Sequence, residues 1–403
     1  NIDSYFLLNS VQNKQFVQHV LDRSTGTSYP AINSSDLSNI EIHVPSKLSE
    51  QQKIGAFFQS IDDTITLHQR KLEKSKALKS AYLSEMFPAE GERKPKRRFA
   101  GFTDDWEQRK LGDIADIKDS ARISNELWVE NGIPYLRSSD LVNGELNGEL
   151  FISKETYEGY ASKTGAPQKD DVLFTSGGKV GVVYHKKDES PVYVQGGAVL
   201  YVKTSTSNLL DGSFLSIYFG SPRMQTYMDI ASSGGTIKHF TLKPANASPI
   251  IFPGLSEQQK IGAFFKELDK TIALHLCKQR QLGLLKQRLI KEILPQSDST
   301  LPHLRFANFR KPWEQHQLKE VLKVNSGRDY KHLNEGNIPV YGTGGYMLSV
   351  DGKLSDVDGI GLGRKGTIDK PQYLKAPFWT VDTLFYLTPS PNYDIYFLYT
   401  LIQ

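Results

Sequence analysis

The sequence predicts an α+β protein in which two mixed α/β domains are separated by two long antiparallel helices with pseudo-two-fold symmetry. The first supporting observation is a repeat: Leu48-Ser-Glu-Gln-Gln-Lys-Ile-Gly-Ala-Phe-Phe58 returns unchanged as Leu255 to Phe265, 207 residues later. The second is that segment 98–108 recurs in similar form at 305–315, with the same offset. The third is that short β-like runs lie between the repeats. An eleven-residue identity does not arise by chance, so the chain contains a duplication.

Each repeat begins in the manner of a helix. A serine followed three residues later by glutamine is a capping box, which satisfies free N–H groups at a helix start. The pairs are Ser49 with Gln52 and Ser256 with Gln259. Both helices are expected to end before a proline, Pro88 or Pro295, because proline cannot continue the hydrogen-bond ladder. Each helix would then have about 38 residues and a length of roughly 55 Å.

An apolar stripe with 3-and-4 spacing follows each helix start, and these residues are the predicted interface of the helices. The stripe comprises Ile54, Phe58, Ile61 and Ile65 in the first copy and Ile261, Phe265, Leu268 and Ile272 in the second. Such long amphipathic helices need a partner, and the simplest partner is the other copy. His68 and His275 interrupt the stripe at the same position, which favours a register-setting polar residue over a functional histidine.

The remaining sequence divides into one intact domain and one divided domain. The predicted order is the back part of a split domain (1–48), helix and linker (49–97), the intact domain (98–255), helix and linker (256–298), and the front part of the split domain (299–403). Within the intact domain, β-like runs are predicted at 133–137, 171–175, 181–184 and 192–194, and one helix at 214–228. The segment 392–398 resembles 1–7, which indicates a circular order opened inside one domain.

Composition sets limits on the function. The net charge is +4, from 49 basic and 45 acidic residues, which excludes a polycationic DNA coat but allows local basic patches. The single cysteine, Cys277, excludes an intramolecular disulfide and a cysteine-built zinc site, and the nine histidines lack ligand spacing. Because no apolar run approaches the roughly 20 residues that span a bilayer, we expect a cytoplasmic protein without membrane contact.

Catalytic motifs are not evident in this sequence. Residues 361–366 match G-x-G-x-x-G, but Thr367-Ile-Asp-Lys-Pro371 follows them, so the helix required by a dinucleotide-binding fingerprint is not expected. We interpret 361–366 instead as a glycine-rich turn presenting Arg364 and Lys365, with an ordinary exposed hairpin tip as the alternative. No metal site and no catalytic residue are predicted.

The duplicated Leu-Ser-Glu-Gln-Gln-Lys-Ile-Gly helix, together with Ile-Pro-Tyr-Leu-Arg-Ser-Ser-Asp-Leu at 133–141, resembles the specificity (S) subunit of type I restriction–modification systems. The resemblance covers essentially the whole chain, although the usual order is domain, helix, domain, helix. It implies two target-recognition domains, each reading one half of a bipartite double-stranded DNA target. It also implies two methyltransferase (M) subunits on the helices, and restriction and translocase (R) subunits bound through them.

The same resemblance implies a subunit that performs no chemistry itself. S-adenosylmethionine, ATP and magnesium are expected in the partner subunits, and none of these is expected on this chain. The circular order leaves open whether the split domain closes within one chain or between two chains.

Cations and small hydroxyl donors in the loops are the candidate DNA contacts, because such groups can reach phosphates or base edges. In the intact domain they are Arg137, Ser138, Ser176, Lys179, Thr236 and Lys238. In the split domain they are Arg23, Thr25, Arg364 and Lys365. The charge run 93–98 is interpreted as a solvated linker, with a phosphate contact as the alternative.

Two other classes of function remain open from the sequence. One is a coiled-coil scaffold that presents two α+β domains to proteins without binding DNA, which the low net charge favours. The other is an intrinsic nuclease, which would cut plasmid DNA in the presence of magnesium.

Overall fold

The computed structural model describes residues 31–142, 145–146, 148–235, 238–295, 299–364 and 370–402. The chain forms two compact units, here called the split unit (1–70 with 275–403) and the continuous unit (71–274). Both units combine small β-sheets with helices, so the predicted α+β class is confirmed.

The helices vary widely in length. They are α1 (Ser34–Ser38), α2 (Leu48–Glu85), α3 (Lys154–Thr164), α4 (Gly212–Phe219), α5 (Pro222–Ala231), α6 (Leu242–Asn246), α7 (Leu255–Ile293), α8 (Leu318–Val321) and α9 (Ile395–Ile402). Short 3₁₀ turns lie at Leu111–Asp113, Asn125–Leu127 and Ser138–Asp140.

The strands are mostly short. Those of the continuous unit are β2 (Glu107–Lys110), β3 (Ile117–Asp119), β4 (Trp128–Val129), β5 (Ile133–Leu136), β6 (Leu141–Val142), β7 (Glu145–Leu146), β8 (Phe151–Ile152), β9 (Val172–Thr175), β10 (Gly177–Gly178), β11 (Val183–His185), β12 (Tyr193–Val194), β13 (Val199–Val202), β14 (Lys238–His239) and β15 (Pro249–Phe252). Those of the split unit are β1 (Glu41–Val44), β16 (Glu314–Gln317), β17 (Leu322–Ser326), β18 (Glu335–Gly342), β19 (Gly345–Val350), β20 (Gly359–Gly363), β21 (Gln372–Leu374), β22 (Trp379–Thr380) and β23 (Leu384–Pro389).

The two long helices have the predicted length, with 38 residues in α2 and 39 in α7. The predicted capping boxes are wrong, because α2 begins at Leu48 and α7 at Leu255. Ser49 and Ser256 therefore lie inside the first turn, where a helix interior replaces the N-cap conformation. In α2 the main-chain N–H groups of the first turn are satisfied in part by the carbonyl of Lys47.

The first turn of each long helix is instead held by an ion pair with the arginine that begins segment 98–108 or segment 305–315. Arg98 donates two hydrogen bonds to the buried Glu257 carboxylate, both of 2.7 Å. Arg305 does the same to Glu50, at 2.6 and 2.8 Å. Such bidentate pairs are stronger than neutral hydrogen bonds, and they fix the orientation of the guanidinium relative to the carboxylate. Each unit thus fastens a helix start to the adjoining linker in the same way.

The helices pair with opposite chain directions in both units. In the split unit, Lys286 bonds to Asp62 at 2.8 Å, and the Nδ1 atoms of His68 and His275 lie 3.0 Å apart. In the continuous unit, Lys79 bonds to Asp269 at 2.5 Å. Residue numbers rise along one helix as they fall along the other, so the pairing is antiparallel. The two histidines contact each other across this pair.

In the continuous unit, two four-stranded sheets carry the domain, in the orders β11-β9-β13-β3 and β12-β5-β8-β4. The predicted strands at 133–137, 171–175, 181–184 and 192–194 correspond to β5, β9, β11 and β12. The single helix predicted at 214–228 is wrong, because α4 ends at Phe219 and α5 begins at Pro222. Pro222 has no N–H to continue a helix, and the Ser221 side chain caps the new one.

In the split unit, the two distant parts of the chain form one hydrophobic core. Strand β1 pairs antiparallel with β16, with Val44 opposite Glu314. The aliphatic residues of 32–44 are buried together with Phe385 and Phe397. Strands β17-β23-β20-β21 and β19-β18-β22 form the two larger sheets of the unit. The described parts of the split domain therefore meet within one chain.

The glycine-rich turn predicted at 361–366 is wrong for its first three residues. Gly361 to Gly363 belong to β20, a buried strand between β21 and β23. A Cβ atom at Gly361 would lie 3.2 Å from Leu374 and from Leu384, so the glycine allows side chains from both neighbouring strands to pack closely. Close packing, and not a turn, accounts for this glycine.

We expect Gly361→Val to destabilise the split unit by about 2 kcal/mol, because the added methyl groups would overpack the sheet. Gly344→Val is the matched control, since Gly344 is exposed and a Cβ atom there meets no atom within 4 Å. The control should change the free energy of unfolding by no more than about 0.5 kcal/mol. Denaturant unfolding measures both values, and equal effects would contradict the strand assignment.

The first residues of each apolar stripe lie in the core of their own unit. Ile54 and Phe58 are buried in the split unit, and Ile261 and Phe265 in the continuous unit. The next residues along, Ile61, Ile65, Leu268 and Ile272, are partly buried. The stripe thus joins helix to domain as well as helix to helix. None of the described helices combines the length and apolarity that a membrane crossing needs.

Candidate nucleic-acid interface

In the continuous unit, the parallel strands β5 and β12 end at the same edge of their sheet. Tyr135 lies opposite Tyr193, and the Gln195 N–H donates to the Leu136 carbonyl at 2.8 Å. Side chains that follow the carboxyl ends of parallel strands emerge together. We call this edge the β5–β12 edge and define it by Arg122, Arg137, Ser138, Lys179, Lys238 and His239.

Arg137, the first predicted contact, follows β5 directly. Its guanidinium donates to both carboxylate oxygens of Asp140, at 3.1 and 3.0 Å, and its main-chain N–H donates to the same carboxylate at 2.8 Å. Asp140 is buried, and this hydrogen bonding raises the pKa of Arg137. The Arg137 side chain keeps 37% exposure. Its orientation is therefore fixed while its other donors face solvent.

Two loops that are separate in the sequence join at this edge. Strands β10 and β14 pair, with Gly177 opposite His239 and Gly178 opposite Lys238. Gly178 has φ +76°, a conformation that favours glycine. The Ser176 carbonyl accepts from the Phe240 N–H at 2.7 Å, which fixes the start of the first loop. The Ser176 side chain is itself buried, so it is the main chain here that supports the neighbouring cations.

Ser138, which was predicted as a contact together with Arg137, is adjacent to these loops. A Cβ atom at Gly178 would lie 3.9 Å from the Ser138 hydroxyl oxygen. Lys179 is exposed, and the Lys238 ammonium donates to the Asp229 carboxylate. The structure therefore brings Arg137, Ser138, Lys179 and Lys238 to one surface. This arrangement can bind a polyanion through cations and short hydroxyl donors.

The split unit carries a comparable edge. Strands β18 and β22 are parallel, with Tyr341 opposite Thr380. Arg364 follows β20, and its guanidinium donates to the Asp382 carbonyl at 3.1 Å and lies 5.0 Å from the centre of the Phe385 ring. Cation–π contact of this kind holds the guanidinium over the sheet while it stays exposed. Residues 343–344 form the hairpin turn between β18 and β19.

Four predicted contacts, Arg23, Thr25, Thr236 and Lys365, lie outside the described residues. Three residues at these edges were missed by the sequence analysis: Arg122, His239 and Arg328. A short pattern could have revealed the arginines, since Ser120-Ala-Arg122 and Ser326-Gly-Arg328 follow matching strands. Nothing in the sequence indicated His239, which reaches the edge only through the pairing of β10 with β14.

The charge run at 93–98 is largely paired within the continuous unit. Lys94 lies 3.1 Å from Asp105, Arg97 lies 2.6 Å from Glu85, and Arg98 pairs with Glu257. These carboxylates hold the linker against its helix. The pairing favours a structural role over a phosphate contact for these three cations.

Within the ranges that the structure covers, three or more His, Cys, Asp or Glu residues are nowhere grouped as a metal site would need. Cys277 is a free, exposed cysteine. Gly361 and Gly363 lie inside a strand, so they do not form the phosphate-cradling turn of a dinucleotide fingerprint.

The sequence of this chain matches that of a known protein family. Residues 1–76 and 103–283 match the family described as type I restriction modification DNA specificity domain. The matched residues make up more than half of the chain. The match covers residues 48–76 of α2, most of the intact domain and residues 255–283 of α7.

Individual relatives are more distant. The chain is 22% identical over 315 residues to the type I restriction enzyme MjaVIII specificity subunit of Methanocaldococcus jannaschii, covering 73% of this chain and 70% of that protein. It is 23% identical to the MjaIX specificity subunit of the same organism, covering 76% and 69%. The crystal structure of a type I restriction–modification S subunit from M. genitalium has a TM-score of 0.52 at 16% identity, over 76% of this chain and 78% of that one.

Proposed function

This chain belongs to the type I restriction–modification DNA specificity family, and from that premise we propose that it reads a bipartite double-stranded DNA target. One observation carries the proposal: each unit has its own edge of parallel strands, lined by exposed cations on a rigid main chain. Two such edges in one chain suit a target with two specific blocks and an unspecified spacer. Each block would be read by one domain.

Within the continuous unit, base recognition is assigned to two side chains of the β5–β12 edge, Arg137 and Lys179. Arginine and lysine can bind the O6 and N7 atoms of guanine in the major groove, where each base pair presents a distinct donor and acceptor pattern. Arg137 suits this role because Asp140 fixes its plane. Lys179 is exposed and is assigned a base contact, whereas Lys238, whose ammonium donates to Asp229, suits either a base or a phosphate. In the split unit, Arg364 has the corresponding role.

The proposal also holds that this chain performs no catalysis itself. In this scheme methyltransferase subunits would supply the S-adenosylmethionine site, and restriction and translocase subunits would use ATP and magnesium. Exposed leucines on the long helices support docking of methyltransferase subunits. In the split unit these are Leu67, Leu276, Leu284 and Leu285, with exposures of 47–55%. In the continuous unit they are Leu78, Leu255 and Leu274, at 41%, 39% and 54%.

The test is the sequence methylated by the complete complex. We expect Lys179→Ala to relax one block of the methylated target and Arg364→Ala to relax the other, with discrimination at the affected base falling about 10- to 100-fold. Sequencing of methylated sites in cells carrying each variant measures both blocks.

Lys154→Ala is the matched control, because Lys154 is an exposed lysine on α3 near Ile152, which lies opposite the start of β5 and not its end. It should leave both blocks unchanged. If Lys179→Ala altered both blocks together, independent reading by two domains would be wrong. If neither variant altered any base while the complex still methylated its target, these side chains would not carry base recognition.

A further inference from the structure

An arginine follows the same strand in both domains. Arg122 lies three residues after the end of β3, and Arg328 lies two residues after the end of β17. The two strands have matching places: β3 pairs antiparallel with β13, and β17 pairs antiparallel with β23. In each unit the partner strand is preceded by one member of the parallel pair, β12 or β22. Both arginines are exposed.

The main chain around Arg122 is fixed by the parallel strands themselves. The Ala121 N–H donates to the Tyr193 hydroxyl at 3.1 Å, and the Ile123 N–H donates to the Tyr135 hydroxyl at 3.2 Å. Both tyrosines are fully buried. The Gln195 amide lies against the Arg122 guanidinium, and in the amide orientation that satisfies both groups its oxygen accepts from the guanidinium at 2.9 and 3.1 Å. The arginine is therefore held at the β5–β12 edge.

The main chain around Arg328 is fixed in an equivalent manner. Its N–H donates to the Thr380 carbonyl at 2.9 Å, and its carbonyl accepts from the Trp379 indole N–H at 2.9 Å. A Cβ atom at Gly327 would lie 2.0 Å from the Val381 carbonyl oxygen, so this glycine permits the close approach to β22. Thr380 pairs with Tyr341 of β18, which places Arg328 at the end of the parallel pair.

In the part of the chain that the structure describes, carboxylates do not neutralise these two side chains. Among the described residues, no Asp or Glu oxygen lies within 4 Å of either guanidinium, whereas Arg97, Arg98, Arg109, Arg137 and Arg305 all have such partners. A guanidinium that is exposed, anchored and unneutralised offers forked donors to an external anion. Two oxygens of a phosphate group can accept from the parallel N–H donors of a guanidinium.

We propose that Arg122 and Arg328 each bind a phosphate of the DNA backbone and set the position of their domain on the duplex. The inference rests on the proposed function. It follows from what the two domains share and what they do not: the 3₁₀ turn at Ser138–Asp140 follows β5, whereas β18 runs on into a hairpin with β19. Side chains that read different bases must differ between domains. A contact common to both domains is therefore assigned to the sugar-phosphate backbone, which is the same for every sequence.

The experiment uses the complex of the full chain with its methyltransferase subunits. Affinity is measured by fluorescence anisotropy at several salt concentrations, for a duplex bearing the target found by methylation sequencing and for a duplex of unrelated sequence. Arg122→Gln and Arg328→Gln should weaken binding to both duplexes and lower the salt slope by about 0.9 each, and the double variant by about 1.8. The methylated sequence should not change.

Arg122→Lys and Arg328→Lys keep the charge and should restore most of the slope, which separates charge from folding. The controls Lys154→Ala and Lys353→Ala remove exposed cations near residues that pair with the starts of β5 and β18, and should not alter the slope. A variant that relaxes the methylated sequence would overturn the proposal, because it would show a base contact. The proposal would also be overturned if the wild-type complex bound DNA and the glutamine variants showed the same salt slope as the wild type. A wild-type complex that prefers an acidic protein to DNA would instead overturn the proposed function, and this inference with it.

Discussion

A chain that begins at Pro45 is expected to lose the fold of the split unit while the continuous unit stays folded. The removed segment contributes five aliphatic side chains that are at most 5% exposed: Ile32, Leu37, Ile40, Ile42 and Val44. Burying one such side chain stabilises by about 1.5–3 kcal/mol, so their sum is on the order of 10 kcal/mol. This is comparable with the whole stability of an ordinary domain. Strand β16 would lose its only described partner strand as well.

Hydrogen exchange resolved along the chain measures this outcome. Strands β17, β20 and β23 should lose protection in the truncated chain, and strands β9 and β13 of the continuous unit should keep it. A chain beginning at residue 31 is the control, since the difference between the two truncations isolates the described segment. Adding a peptide of residues 1–47 should restore protection. Persistent protection of β20 and β23 without the peptide would show that the split domain does not need its back part.

Lys286→Met is expected to destabilise the split unit by about 2 kcal/mol, because it leaves a partly buried carboxylate, Asp62 with a side-chain exposure of 24%, without its cation. Lys286 is 7% exposed, and its ammonium contacts the Asp62 carboxylate at 2.6 Å. The Tyr396 hydroxyl donates to the same carboxylate at 2.6 Å, which ties α9 to α2. Burial lowers the pKa of Lys286, and Asp62 opposes that shift.

The chain supplies its own matched control at the same repeat position. Lys79 and Asp269 form the corresponding pair in the continuous unit, with side-chain exposures of 32% and 53%. Lys79→Met should cost only about 0–1 kcal/mol, because solvent screens an exposed pair. Denaturant unfolding of both variants gives the comparison. Asp62→Leu combined with Lys286→Met should cost less than Lys286→Met alone. If Lys79→Met and Lys286→Met lowered the free energy of unfolding equally, burial would not determine how much each ion pair contributes to stability.

The long helices could be predicted from the sequence because a repeat and a heptad-like spacing are local signals. Their ends were predicted to within a few residues, and the antiparallel pairing is present in both units. The role of the polar residues at the helix start was missed. Ser49 suggested a local cap, but the ion pair of Glu50 with Arg305, 255 residues away, is a tertiary contact. Composition near a helix start does not encode such a partner.

The candidate interface was predictable only in pieces. The cations Arg137, Lys179 and Lys238 could be named because each lies at the end of a β-like run or in a glycine-containing turn of the sequence. Their meeting depends on pairings such as β5 with β12 and β10 with β14, whose members are about 60 residues apart. Strand patterns show where a strand lies but not which strand it joins. Gly361 was misread for the same reason, since glycine in a packed strand and glycine in a turn look alike in sequence.

The pairing of β1 with β16 has a consequence for synthesis on the ribosome. About 270 residues separate the two strands, so the aliphatic segment at 32–44 leaves the exit tunnel long before its sheet partner exists. At roughly 5–20 residues per second, the interval is about 15–50 s. During that time the intact domain can complete its own core, while an unpaired hydrophobic strand waits in solution and is open to aggregation. Nascent chains stalled near residue 300 should therefore recruit chaperones through this early segment.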